Sequence, residues 1–190
     1  MNLFTVDEDP RQAAIALGDK HIVKMLLETT QMLSNKVYDG LGITSWRQVQ
    51  EKNLQDEVLT RFIGFPRRDE NGNSLPYRPA HWNHPVSQWV RLTRKNWLWT
   101  WKHAIALSDE YTYRFGKIHG CEKILIWLYD KFIRNQFIFS VGGLTEFKMC
   151  FEDQYKKYDS PILNHRENYK FGKAHLHRWT RRKPPQWINY

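Results

Sequence analysis

Histidine, lysine and glutamate recur at three- and four-residue spacing in Asp19-Lys20-His21-Ile22-Val23-Lys24-Met25-Leu26-Leu27-Glu28. On a helix that spacing lines up His21, Lys24, Glu28, Gln31 and Asn35 as one narrow stripe. An acid beside a cation and an imidazole is an acid/base arrangement once a cleft covers it. Lys24, one turn ahead of Glu28, favours the ionised carboxylate, which can then act as a base or stabilise a cationic intermediate. In open solvent the same stripe is one Lys–Glu pair, worth roughly a few tenths of a kcal/mol.

Three other clusters could meet a ligand. Trp82-Asn83-His84-Pro85 stands at a loop-to-helix junction, where Asn83 or His84 either projects into a cleft or caps the helix that Pro85 opens. Glu110 to His119 ends a helix. There Arg114, Lys117 and His119 either complement the negative helix end or hold a phosphate, with Tyr111 or Tyr113 stacking. Tyr169-Lys170-Phe171-Gly172-Lys173 and the run from Arg178 to Lys183 interleave cations with rings, which suits a nucleic-acid backbone. His175 and His177 have no third ligand at a familiar spacing, so no metal is expected. No phosphate-binding glycine loop, dinucleotide fingerprint or paired Cys-x-x-Cys occurs, and no cofactor is expected.

The elements that must position these residues read as helices. Asp9-Pro10 starts one that runs to Tyr38 with an interruption near Gly18, and Asp39-Gly40-Leu41-Gly42 stops it. Ile22, Val23, Leu26, Thr30, Leu33 and Val37 form its core face. A second helix is expected from Thr44 or Ser45 to about Phe62. Residues 64–85 lose periodicity and read as a long surface loop. Helical pattern resumes from Val86 to about Tyr113 with a break around Thr93, and again from Glu122 to Asn135. Phe137 to Ser140 reads as a connector or a short edge strand. The expectation is a mostly α chain of about five to seven helices with long loops.

At 190 residues the chain is read as a single domain, 1–190, ending in a basic aromatic segment at about 160–190. The net charge of +9 favours polyanionic partners, and an aromatic content of 15% supplies rings that can stack on bases. No apolar run is long enough to cross a bilayer, and residues 1–7 lack the pattern of a signal peptide. The two cysteines form no ligand pattern, which fits a reducing, cytoplasmic setting. A monomer without membrane association is expected.

Three features together carry a resemblance. They are Asp19, His21 and Glu28 on an early helix; Asn83-His84-Pro85 before a long helix ending Glu110…Arg114-x-Gly116; and the late Tyr169-Lys170-Phe171-Gly172-Lys173. The chain resembles the pyrimidine-dimer DNA glycosylases of the endonuclease V type. Over nearly its whole length it is similar to uncharacterised bacteriophage proteins that open M-N-[IL]-F and carry D-K-H-x-x-K-M-x-x-E. The resemblance implies a compact α enzyme acting on pyrimidines in double-stranded DNA, in the host cytoplasm if phage-encoded. It implies an amino-terminal amine that attacks the sugar C1′ to form a Schiff base, assisted by a glutamate on the first long helix. By motif that glutamate is Glu28, tuned by His21 and Lys24, and the amine is that of Met1, retained before the bulky Asn2. Where the family has arginines flanking its glutamate, this chain has Leu27 and Gln31.

Three activities follow as expectations. The first is a glycosylase/AP-lyase-like reaction. The second is modification of a DNA base or nucleotide without strand scission. The third is non-catalytic DNA binding or host takeover. In the first two, Asn83, His84, Arg114, Lys117, His119, Tyr169, Lys170, Lys173 and Arg178 contact DNA.

Overall fold

A computed structural model of the chain describes residues 3–40, 47–52, 58–63 and 77–189, the two short internal segments by their backbone alone. Helix α1 (Pro10–Ala16) begins where the Asp9 carboxylate accepts from the N–H groups of Arg11 (2.7 Å) and Gln12 (3.1 Å). Pro10 takes the first helical position, where no N–H donor is needed. Leu17 and Gly18 break the run, and α2 (Asp19–Gly40) opens on the charged motif. A side chain at position 18 would crowd the C-terminal segment, because a Cβ there would lie 3.1 Å from the Arg178 carbonyl oxygen.

Strands β1 (Arg47–Lys52) and β2 (Val58–Ile63) pair antiparallel, Arg47 opposite Ile63 and Lys52 opposite Val58. This corrects the helix expected from Thr44 or Ser45 to Phe62. Val49, Val58, Thr60, Phe62 and Ile63 are β-branched or aromatic, and that local preference outweighs a weak three-four pattern. Of the loop expected over 64–85, residues 64–76 lie outside the described residues, and 77–84 are irregular.

Helices α3 (Pro85–Leu92) and α4 (Arg94–Phe115) are separated by Thr93 alone, whose hydroxyl accepts from the Asn96 N–H at 3.1 Å and caps α4. Gly116 ends α4 in the left-handed region (φ 67°), its N–H donating to the Thr112 carbonyl. Helix α5 (Glu122–Ile133) follows. Residues 137–140 contribute a single bridge, Thr93 with Ser140, rather than a strand. Helix α6 (Pro161–Glu167) runs into a wide π-type turn, Asn168–Gly172. With six α-helices among the described residues the fold is mostly α, and none of these helices is long and apolar enough to cross a membrane.

Helix α2 lies along α4 and α3, and α1 packs on α4. Ile22, Leu26, Met32 and Leu33 are buried against a core that includes Val90, Trp97 and Leu107. Trp97 stacks on Phe132 (4.6 Å, 9°) and ties α4 to α5. The expected amphipathic division of α2 fails in one respect. Val23, expected on the core face, is 43% exposed, while Thr29, Ser34 and Asn35 are completely buried alongside the expected Thr30. Burial of Thr30 and Ser34 is cheap because each hydroxyl donates to a carbonyl one turn back, at 2.7 Å. Asn35 donates to the Ala80 carbonyl and to Ser87 Oγ and accepts from the Ala80 N–H, so it fastens the segment before α3.

Candidate functional site

The first turns of α2 form one wall of a cleft of about 760 Å³. Lys20, His21, Lys24, Met25 and Glu28 stand on that wall. Phe4, the segment Met149–Glu152, Lys156, Asn168, Lys173, His175 and Leu176 complete it. The motif's three-four spacing therefore places His21, Lys24 and Glu28 together in a concavity, whereas Asn35 of the same stripe is spent in the core.

His21 is held by Tyr169. The Tyr169 hydroxyl accepts from the Gly18 N–H at 2.8 Å, and the assignment that leaves its buried proton paired has it donate to His21 Nδ1, also at 2.8 Å. That assignment puts the imidazole proton on Nε2 and leaves Nε2–H for whatever enters the cleft. Burial, with the charges of Lys173, His177, Lys24 and His175 around it, lowers the His21 pKa to about 4. At neutral pH the ring is therefore uncharged. It is a hydrogen-bond donor rather than a source of protons, and it adds no positive charge beside Glu28. Burial pushes Tyr169 strongly upward, which keeps its hydroxyl protonated. The ring of Phe4 packs edge-on against both His21 (4.7 Å) and Tyr169 (5.1 Å), and His177 stacks on Tyr169.

Glu28 is mostly enclosed, with its side chain 15% exposed. Oε1 lies 3.5 Å from Lys24 Nζ, while Oε2 is buried and has no hydrogen-bond partner among the described residues. A carboxylate oxygen left this way is costly in a finished interior, and such a cost is tolerated where a ligand or reacting group meets it. The Glu28 charge also reaches His84 at the start of α3. There burial and His81 lower the imidazole pKa and Glu28 opposes them. Four lysines line the cleft (Lys20, Lys24, Lys156 and Lys173) against two glutamates, Glu28 and Glu152. Lys24 and Lys156 are engaged by Glu28 and Asp153. Lys20 and Lys173 have no ion-pair partner among the described residues, and they are the natural seats for an anionic group.

The remaining expected contacts divide. Arg114 is corrected outright: it is completely enclosed and cannot hold a phosphate. Its Nε donates to Glu110, Nη1 to the Leu17 carbonyl (2.7 Å) and to Asp19 (3.2 Å), and Nη2 to the Ile15 carbonyl (2.9 Å). It thus caps the last carbonyls of α1 and neutralises two carboxylates. Tyr169 is likewise buried, so it positions His21 instead of stacking on a base. His84 caps α3, its Nδ1 accepting from the Val86 N–H, and Asn83 beside it is exposed. His119 Nδ1 accepts from the Cys121 N–H at the start of α5, and Lys117 is exposed. Lys170 donates to the Asn189 carbonyl. Arg178 is largely solvent-facing and lines a smaller cleft of about 520 Å³, which shares Lys20, His175 and Leu176 with the first. Met1 lies outside the described residues. Among those residues, no three His, Cys, Asp or Glu side chains gather as a metal-holding group.

Sequence reasoning missed Asn168, Lys156 and the segment Met149–Glu152. No local signal marks them, because they reach the cleft from chain more than 120 positions away from the motif. No protein-family model, curated protein or solved structure matches this chain.

Proposed function

We propose that this protein is an enzyme acting on a pyrimidine base or nucleotide of DNA, with glycosylase/AP-lyase-like chemistry as the leading reaction. One observation carries the reading: an open, lysine-lined cleft in which a carboxylate oxygen of Glu28 is unpartnered among the described residues, beside the neutral imidazole of His21. A volume of about 760 Å³ suits a nucleotide-sized guest, within the range of roughly 300–1,000 Å³ usual for such sites. A protein that only bound a DNA backbone would need the basic tail but no enclosed acid.

In this reading Lys20 and Lys173 seat a phosphate, His21 Nε2–H donates a hydrogen bond to the sugar or base, and Glu28 supplies the negative charge. In the leading reaction the amino-terminal amine attacks C1′ as the bond from C1′ to the base nitrogen breaks. The base leaves with the bonding pair and takes up the proton the amine gives up, while the Glu28 carboxylate faces the positive charge that builds on the sugar. The adjoining cleft with Arg178 and His175 continues the cationic surface along a strand.

Borohydride trapping tests the proposal, using oligonucleotides that carry a thymine dimer or an abasic site, with wild type and Glu28→Gln compared. The expected result is a covalent adduct with wild type and at least a hundredfold less with the variant, the scale of a lost acid/base or charge-stabilising group. No adduct from a wild type that still binds the DNA would exclude the amine route on these substrates. Base or nucleotide modification without scission would then be the reading to pursue.

A further inference from the structure

The smaller cleft of about 520 Å³ is built where the C-terminal segment meets the start of α2. The Asp19 N–H donates to the Arg178 carbonyl at 2.8 Å, and the Asp19 carboxylate accepts from the Thr180 N–H at 2.9 Å and hydroxyl at 2.7 Å. The chain from His175 to Thr180 is thereby fixed against α2, and Phe115 at the end of α4 completes the lining. Asp19 is the one carboxylate there, and its charge is already balanced by the enclosed Arg114 at 3.2 Å. His177 is spent on the wall: it donates to the Tyr169 carbonyl at 2.9 Å and stacks on the Tyr169 ring. Lys20 and Arg178 leave the cleft cationic, the Arg178 side chain being 83% exposed at 3.8 Å from Asp19. Lys20, His175 and Arg178 are exposed and Phe115 is half-buried, so a guest can reach each of them.

We propose that this second cleft is the subsite for the neighbouring nucleotide of the same DNA strand. Phe115 stacks on its base, Arg178 holds its phosphate, and Lys20 holds the phosphate that joins it to the nucleotide in the first cleft. The assignment rests on the nucleotide reading of the first cleft and deepens it, because it makes the ligand a strand instead of a free nucleotide. Of the lysines and arginines lining the two clefts, Lys20 alone lines both. It stands between Lys173, which lines the first cleft, and Arg178, which lines the second. Cations along a groove with a ring beside them are what bind a single strand, since phosphates recur at every nucleotide and every base has a face to stack. An isolated nucleotide would fill one cleft and leave Phe115 and Arg178 unused.

Isothermal titration calorimetry on the full chain with dTMP and the 5′-phosphorylated dinucleotide pdTpdT tests this. Wild type should bind pdTpdT about tenfold tighter than dTMP, the scale of one stacked base. Phe115→Leu keeps an apolar side chain without the ring, and Arg178→Gln removes a solvent-facing charge that the fold does not need. Each should lose most of the dinucleotide advantage and bind dTMP as wild type does. Lys123→Gln, an exposed cation on α5 outside both clefts, should change neither affinity. Equal affinity of wild type for the two ligands overturns the assignment. So does an advantage unchanged in either cleft variant, or one lost as fully in Lys123→Gln. Those results would leave Glu28-dependent trapping untouched, whereas binding of neither ligand would overturn the nucleotide reading as well. Conversely, a dinucleotide advantage that needs Phe115 and Arg178, without any trapped adduct, would remove the excision chemistry and keep the two subsites.

Discussion

Two mixed-charge clusters grow from the same helix start, and they differ in how completely their polar atoms are bonded. Around Arg114, every group has a partner. Asp19 accepts from Arg114, from the Thr180 N–H and from the Thr180 hydroxyl, and Glu110 accepts from Arg114 and Arg182. At Lys20, immediately after Asp19, the chain enters the cleft. There Glu28 Oε2 and both Asn168 amide atoms are buried and unpaired among the described residues. The first cluster is closed and structural, holding α1, α2, α4 and the C-terminal segment together. The second is open in its bonding. Charge type and burial alone would not separate the two; the count of unmet donors and acceptors does.

The comparison can be broken by stability measurements. Arg114→Ala should have the largest effect, since it removes the buried cation between two carboxylates, leaving Asp19 to Thr180 and Glu110 to Arg182, and unpairs two carbonyls. A loss of about 3–5 kcal/mol is expected, seen as a fall of roughly 10 °C in Tm. A change below about 1 kcal/mol would deny the cluster its structural role. Tyr169→Phe comes next, because it leaves the Gly18 N–H and His21 Nδ1 unpaired. A cost of about 1–3 kcal/mol is expected in chemical denaturation, with trapping activity reduced as His21 loses its orientation.

The acid limb sharpens the same contrast. His21, His103 and His165 are all lowered to about 4 by burial. Between their ordinary value near 6.5 and about 4, the unfolded chain binds protons that the folded chain refuses. Stability therefore rises with pH through that window and is lost on acidification. His21→Gln should make this limb shallower by up to one proton's worth, about 1.4 kcal/mol per pH unit; an unchanged slope would mean that His21 charges freely in the fold. The smallest expected effect is that of Glu28→Gln on folding. Removing a mostly enclosed charge that is paired with the exposed Lys24 through Oε1 alone should leave stability within about 0.5 kcal/mol of wild type or raise it, and a large loss would move Glu28 into the structural class.

What was legible in the sequence was local. Asp9-Pro10, Thr93 and Gly116 mark helix boundaries through capping bonds with immediate neighbours, and each stands where its chemistry predicts. The grouping of His21, Lys24 and Glu28 needed only helical spacing. Arg114 was misplaced because a guanidinium reads the same whether it meets phosphate or two buried carboxylates, and those partners are brought in by tertiary packing. Val49 and Val58 to Ile63 suited a helix face on period and a strand on residue type, and type prevailed. Asn168 was invisible because it joins the cleft through tertiary packing, 140 positions after Glu28 on the other wall.

The clasp between Asp19 and Thr180 spans 161 residues, and that between His21 and Tyr169 spans 148. Closing loops of that length is entropically the slowest kind of step, whereas α2 against α3 and α4 needs shorter closures. The helical scaffold should therefore assemble first, and the cleft should be completed last, when the end of the chain folds back over the start of α2. In native-state hydrogen exchange the Gly18 and Thr180 amides should open together at a lower free energy than the centre of α4. Chemistry-bearing residues near one end of the chain thus become a site only after the other end arrives, so the cleft reports on the completeness of folding.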